Sequence, residues 1–363
     1  MKKIVDVSLP VGPVHPCYKE PVRLKCETKG EYVLKAELEL GYVKKGIERI
    51  MRGRPWQEVM FLAERVCGIC SVIHNMVFIE AVEKISAISV PERAQYLRVM
   101  VNELDRIQSH ILANFSYCYT IEHETLAMYL LNLRETAMDM LELITGARVT
   151  CGYMIPGGVR FDLRDEDERT LRAAIDTLEK ELTRFVGMFQ NGPLIALRSK
   201  GVGILTKDEA FEAHAVGPTA RASGIPECDM RIHHPTYQKL GFTPLSYEEG
   251  DNYSRIMIRF DETFQSIDLV RKCLDLLPND RTIRGGGAVI AGETEYAGEA
   301  PRGELTYYVK TDEYGRILDI AIRTPSIMNI EACAHYMIPG VTSAADITSA
   351  FISSDPCIAC CER

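Results

Sequence analysis

Two Cys-x-x-Cys pairs carry the most specific chemistry in this 363-residue chain: Cys67-Gly68-Ile69-Cys70 in its first quarter and Cys357-Ile358-Ala359-Cys360 close to Arg363. Each pair places two thiolates within reach of one ion, and soft thiolates select zinc, iron–sulfur and other thiophilic transition metals over magnesium or calcium. A local zinc ribbon separates its pairs by only about 15–20 residues, far less than here. A thioredoxin-like redox pair accounts for Cys67 and Cys70 but leaves the C-terminal pair without a task. A catalytic or electron-transfer metal bound by all four sulfurs requires the chain's end to return to its first quarter. If Cys67, Cys70 and His74 share a helix start, their spacing puts them on one face. His74 can then donate a hydrogen bond to a ligand sulfur; a satisfied core histidine is the plainer reading.

The elements that must position these groups are mostly helical. From Glu92 to Thr145 there is no glycine or proline. Leu97, Met100, Val101, Leu104, Ile107 and Ile111 recur at helical spacing, which predicts two long buried helices. Leu171, Ile175, Leu178, Leu182, Phe185 and Phe189 mark another helix after the acidic start Asp165–Glu168, and Tyr253 to Leu274 a further one. Val22–Cys26 and Tyr32–Leu40 flank Thr28-Lys29-Gly30 as a hairpin, and Leu305–Val309 with Ile317–Ile322 form a second. The expected fold is mainly α with small β elements (α+β), one domain over residues 1–363. Its parts are an N-terminal hairpin at about 20–41, a helical core at about 60–280, and a C-terminal hairpin and ligand segment at about 300–363.

Composition narrows the function. Net charge is −9 with no basic run, so nucleic acid is not an expected partner. Twelve cysteines without an apolar leader point to a reducing compartment. Charges interrupt every apolar segment before it reaches membrane-spanning length.

The flanking residues sharpen the metal reading. Arg65-x-Cys67-Gly-Ile-Cys70-x-x-x-His74, taken with Asp355-Pro-Cys357-x-x-Cys360-x-x-Arg363, resembles the large subunit of nickel–iron hydrogenases. Gly46-Ile47-Glu48, Ala300-Pro301-Arg302-Gly303-Glu304-Leu305 and Thr324-Pro325-Ser326-Ile327-Met328-Asn329 are similar to further segments of that family. Gly12-Pro13-Val14-His15-Pro16, Lys19-Glu20-Pro21 and Glu103-Leu-Asp-Arg-Ile-Gln-Ser-His110 resemble its energy-converting, membrane-complex branch.

The resemblance implies a Ni–Fe centre with CO and CN ligands on the iron. Cys67 and Cys357 would be terminal nickel ligands, and Cys70 and Cys360 would bridge the two metals. Heterolytic cleavage of hydrogen needs a base beside the metal, a role that falls to Cys357, with Glu20 as first proton relay. Arg302 is implied to lie over the metal pair and Ser326 to donate to a cyanide, with Asp355 and Asp105 as acidic candidates for pairing with Arg302. Many relatives end this motif in histidine, which binds a structural magnesium or iron together with a glutamate resembling Glu48. Arg363 cannot ligate a metal, so that metal is put in question, and the guanidinium is expected to pair with Glu48 in its place. Family precursors lose a C-terminal extension, and an end at Arg363 resembles the processed product, although an encoded or shortened end is equally compatible.

No ferredoxin-type cysteine repeat is present. The resemblance therefore implies a small subunit carrying a 4Fe–4S cluster, ferredoxin as the distant electron partner, and integral-membrane ion-translocating subunits. The chain would then be a peripheral subunit on the cytoplasmic side of the cell membrane. The quinone-binding subunit of respiratory complex I should share the fold but lacks the four-cysteine site. A cytosolic hydrogenase with another electron acceptor and a structural zinc protein are the rival readings of the same sulfurs. Cys17, Cys26, Cys118, Cys151, Cys228, Cys273 and Cys333 are expected to be buried core residues, and His233-His234 a loop or subunit-contact pair.

Overall fold

Alternating apolar and polar residues in strand β2 (Arg23–Lys29) bury Leu24, Cys26 and Thr28 and expose Lys25 and Glu27, the period-2 signature of a half-buried strand. The computed structural model describes residues 6–363. In it β2 forms the expected hairpin with β3 (Tyr32–Glu39), while β1 (Asp6–Val11) adds a third antiparallel strand on the other side of β2. Two short helices, α1 (Ile47–Met51) and α2 (Trp56–Glu64), lead to α3 (Ser71–Ser86).

The predicted pair of long helices is α4 (Glu92–Thr120) and α5 (Glu124–Thr145), packed on each other. Glu122 breaks the run at φ 63, the His123 ring then accepts the Leu126 N–H, and Gly146 ends α5 in the left-handed conformation. Such a residue at a helix end favours glycine. A two-stranded ribbon, β4 (Met154–Ile155) with β5 (Gly158–Val159), precedes α6 (Asp165–Gln190). That helix buries Leu171, Ile175, Leu178, Leu182, Phe185, Val186 and Phe189 against α5 and α7 (Asn252–Asp275). Each such side chain contributes roughly 2 kcal/mol through removal from water.

A three-stranded antiparallel sheet follows: β6 (Gly292–Ala300), β7 (Gly303–Thr311) and β8 (Ile317–Arg323). It packs on α3. Pro325 opens α8 (Pro325–Ala332), which continues through a π-helical turn at Cys333–Met337. After α9 (Ile347–Ser353), the chain ends in one turn of helix, α10 (Ile358–Cys361). The fold is thus mainly α with small sheets. Among the described residues no helix is long and apolar enough to cross a membrane.

The chain's end is tied back by polar contacts. The Glu362 carboxylate accepts the N–H groups of Gly41 at 2.7 Å and Val43 at 2.7 Å, and the Glu362 carbonyl accepts that of Lys45 at 3.3 Å. These bonds bring the second cysteine pair back over the first.

Candidate metal centre

Cys67 lies in the turn after α2, and Cys70 caps α3 with non-helical dihedrals (φ −113, ψ 48). The three residues Cys67, Cys70 and His74 therefore do not share a helix face, because the helix begins only after Cys70. The tight turn instead aims the N–H groups of Ile69 and Cys70 at Cys67 Sγ, at 3.4 and 3.3 Å, which favours a thiolate there. Cys357 precedes α10, and its own N–H donates to Ser326 Oγ at 3.1 Å.

The two pairs meet across 290 residues. Cys67 Sγ lies 3.6 Å from Cys357 Sγ and 2.9 Å from Cys70 Sγ. The sulfurs of Cys67, Cys357 and Cys360 all lie within 4.8 Å of one another, as do the ligand atoms of Cys70, His74 and Cys360. All four cysteines are buried. Hydrogen bonds from Cys357, then from Cys360 and Cys70, hold Cys67 well below the usual thiol range. Four convergent sulfurs with an imidazole alongside, and no carboxylate in either group, fit a thiophilic transition-metal centre and not a hard cation.

Arg302 is fixed from several sides. Its Nε donates to the Asp355 carbonyl at 2.9 Å, Nη2 to Asp355 Oδ1 at 3.1 Å, and Nη1 to Ser109 Oγ at 3.2 Å. The Asp355 carboxylate also binds Lys19 Nζ at 2.9 Å. Burial opposes the charge on Arg302, but Asp355 and then the sulfurs of Cys70, Cys357 and Cys67 outweigh it and raise the guanidinium above its ordinary value. The turn that presents Arg302 rests backbone to backbone on Gly217, where a Cβ would meet the Arg302 carbonyl oxygen at 2.3 Å. Asn329 clamps the same turn by donating to that carbonyl at 3.0 Å.

Asp105 does not pair with Arg302. It accepts from Gln108 at 2.9 Å, and burial pushes its carboxyl up to about 7. Ser109, one helical turn further along α4, takes the place at Arg302. His74 is buried, its Nδ1 2.8 Å from the Tyr307 hydroxyl and its Nε2 4.0 Å from Cys360 Sγ; burial lowers it to about 4. Glu20 is half-buried, and its Oε2 accepts the N–H of Ala359, between the two C-terminal cysteines, at 2.7 Å. Glu48 Oε1 accepts from Arg363 Nε at 3.0 Å and from the Ile322 N–H at 2.8 Å. The Arg363 guanidinium therefore occupies the Glu48 side of the C-terminus.

Several neighbours of the centre were given no role by the sequence, although Lys19, Ser109 and Thr324 lie within its family-like segments: Lys19, Ser109, Tyr307, and Thr324, whose hydroxyl donates to the Cys360 carbonyl at 3.0 Å. Tyr307 was detectable only as an inward position of an alternating strand. Of the other cysteines, Cys26, Cys118, Cys151, Cys273 and Cys333 are buried, while Cys17 and Cys228 are half-buried. His234 caps the helix at Pro235–Lys239 and lies 3.3 Å from Glu80.

Residues 121–287 and 281–363 match the family described as respiratory-chain NADH dehydrogenase, 49 Kd subunit. Residues 45–119 match the family described as nickel-dependent hydrogenase. The chain is 36% identical to the carbon monoxide-induced hydrogenase of Rhodospirillum rubrum, over 98% of this chain and 99% of that protein. It is 35% identical to the membrane-bound hydrogenase subunit alpha of Pyrococcus furiosus, over 100% of this chain and 89% of that one. A subunit of the F(420)H(2) dehydrogenase of Methanosarcina mazei is 34% identical over 97% of this chain and 96% of its own length. Among solved structures, the membrane-bound sulfane sulfur reductase, an archaeal respiratory membrane complex, contains a chain that superimposes with TM-score 0.92 at 27% identity, covering 100% of both chains.

Proposed function

The chain belongs to the oxidoreductase family that unites the 49 kDa subunit of respiratory-chain NADH dehydrogenase with the large subunit of nickel-dependent hydrogenases, and we propose that within it this chain is the catalytic subunit of an energy-converting, ferredoxin-linked hydrogenase. The observation that carries the reading is the convergence of four buried sulfurs from Cys-x-x-Cys pairs 290 residues apart. Cys67, Cys70, Cys357 and Cys360 would hold a nickel–iron pair whose iron bears carbon monoxide and cyanide. When bound, that pair supplies the site at which dihydrogen is split heterolytically or formed from protons and electrons.

The protein's own groups define the rest of the chemistry. Cys357 presents a sulfur that can hold the proton, and Glu20 receives it. Glu20 is anchored to the Ala359 N–H in α10, two residues after Cys357, and partly open to solvent, so a proton on that carboxyl has a way out. Ser326 Oγ accepts the Cys357 N–H, which leaves the hydroxyl proton available; with the metal pair bound, it would donate to an anionic ligand of that pair. Arg302, locked by Asp355 and Ser109, offers a fixed fork of donors over the sulfurs. The burial of all four sulfurs excludes bulk water.

Electron transfer needs partners. The remaining cysteines form no cluster-binding repeat, which supports a small subunit with a 4Fe–4S cluster and ferredoxin as the more distant donor or acceptor. The relatives named as membrane-bound hydrogenase and respiratory membrane complex support membrane partners for this chain; that these partners move ions, and that the chain sits on the cytoplasmic face, is part of the same proposal. Metal determination on the purified complex tests the reading. Nickel stoichiometric with this chain is expected; zinc alone, or iron without nickel, contradicts it.

A further inference from the structure

A second buried cluster, built of charged groups, lies against the turn that carries Arg302. Arg221 donates to Glu262 Oε1 at 2.8 Å and to Glu299 Oε1 at 2.7 Å, and lies 3.3 Å from Asp229. Arg231 pairs with Asp229 at 2.8 Å and reaches Glu103 at 3.5 Å and Glu262 at 4.0 Å. Arg106 pairs with Glu103 at 3.2 Å, and His110 Nε2 lies 2.9 Å from Glu262. The hydroxyls of Tyr237 and Ser266 also donate to Glu103. All of these groups are buried.

The carboxylates are not equally served. Glu103, Asp229 and Glu262 each face two guanidiniums, and Glu262 has His110 as well. Glu299 has Arg221 alone as a direct cation, shared with two other carboxylates, plus the Met230 N–H at 3.1 Å. Arg106 passes it by, giving its Nη groups to the Ala300 and Glu299 carbonyls at 3.2 and 2.6 Å. Opposite Glu299 in the hairpin, Glu304 is taken by Arg323. Cys228 and Asp229, the other titratable groups facing it, bring no positive charge, and Arg259 faces Glu262 and Asp355 instead. Glu299 is also the acidic residue of this cluster that borders a cavity. The cavity, of about 150 Å³, is lined as well by Arg231, Tyr237, Glu80, His234 and the exposed His233.

We propose that Glu299 is a proton-binding site, filled from solvent through this cavity, whose occupancy sets the charge carried three residues before Arg302. Burial, with Asp229 adding to it against the pull of Arg221, places this carboxyl at about 7, where its occupancy changes near neutral pH. Guanidiniums cannot pass a proton along, so the cluster stores a proton and does not conduct it to the sulfurs. Its influence on the centre is electrostatic. One helix fixes the distance across which it acts: Arg106 holds the Glu299 backbone, and Ser109, on the same face of α4, holds Arg302.

The test is infrared spectroscopy of the purified complex, titrated from about pH 5 to about pH 9 around that value. Expected is a protonated-carboxyl band that disappears as the pH passes through neutrality and is missing in Glu299→Gln. The bands of Glu64 and Asp105, which burial also pushes up to about 7, should persist in that variant. If Glu299→Gln does not assemble, Glu299→Asp decides, because its band must move to a new frequency. A carboxyl spectrum identical to wild type in either variant overturns the proposal. The link to the centre rests on the hydrogenase reading and has its own readout. Carbon monoxide and cyanide bands should shift with pH in the wild type and lose that shift in Glu299→Gln; an unchanged shift overturns the link. Absence of any diatomic band counts against the hydrogenase reading alone, since the carboxyl titration does not depend on metal.

Discussion

The sulfur cluster and the guanidinium–carboxylate cluster are both buried, yet opposite means hold them. In the charged cluster each carboxylate meets at least one arginine, and removing one partner leaves a buried charge uncompensated. Arg302 is the guanidinium whose charge acts on the sulfurs of Cys67, Cys70 and Cys357, and it is already committed to Asp355. Their packing is set by backbone: the turn at Cys67–Cys70, the Cys357 N–H on Ser326 and the pinned C-terminus. One cluster is balanced by its own members and belongs to the fold. The other is a set of donors whose balance comes from what it binds, so its substitutions should cost function before they cost stability.

The widest separation is expected from Cys357→Ser. Hydrogen turnover should vanish and nickel content fall, while the circular dichroism spectrum and melting temperature of the chain stay near wild type. A collapse of the fold would erase the contrast. Arg221→Met should do the reverse, destabilising the chain by about 3–5 kcal/mol in denaturant unfolding because Glu262 and Glu299 lose a buried partner. A loss below about 1 kcal/mol would show the cluster to be better hydrated than its burial indicates. Glu20→Gln should keep the nickel and slow hydrogen–deuterium exchange by about 10²-fold, the scale of a lost general acid–base group. Full exchange in that variant would remove Glu20 from the proton path.

The smallest effect concerns a carboxyl outside both clusters. Glu64 is buried, with Oε1 accepting the Gly152 N–H at 2.7 Å and Oε2 without a hydrogen bond, 3.7 Å from the half-exposed Arg65 guanidinium, and burial outweighs these and pushes it up to about 7. A folded-state value above the unfolded one means that the folded chain holds a proton the unfolded chain has released. Stability is therefore full below about pH 4.5, falls as the pH rises toward 7 and stays lower above it. Glu64→Gln should be neutral at about pH 4 and stabilising at about pH 8, by up to about 3 kcal/mol. A gain independent of pH would contradict the assignment.

The long helices were legible because their periodicity is local and uninterrupted, and both predicted hairpins occupy their expected places. Strand β6 was not legible: Gly-Glu-Thr-Glu-Tyr-Ala-Gly-Glu-Ala reads as a polar loop. Gly298 accounts for the weak signal, since a Cβ there would meet Val77 of α3 at 2.8 Å; the residue that weakens the strand pattern is the one that lets the sheet approach the helix. At the site, the cysteine motif identified the donors but not the backbone that aims them, since Cys70 caps the helix and does not lie within it. Asp105, expected at Arg302, stands one helical turn away from Ser109, the residue that holds it. The charged cluster was not legible as a unit: Glu103–Arg106 and Asp229–Arg231 are local pairs, but the contacts that join them span 41 to 163 positions, and no local pattern encodes such a meeting.

The central claim is that the four sulfurs hold a nickel–iron centre. Infrared spectroscopy of the purified complex under hydrogen tests it most directly. The account predicts carbon monoxide and cyanide stretching bands that change between oxidised and hydrogen-reduced states and are absent from Cys357→Ser. A complex with intact iron–sulfur clusters, native subunit composition and no diatomic bands in any redox state would contradict it.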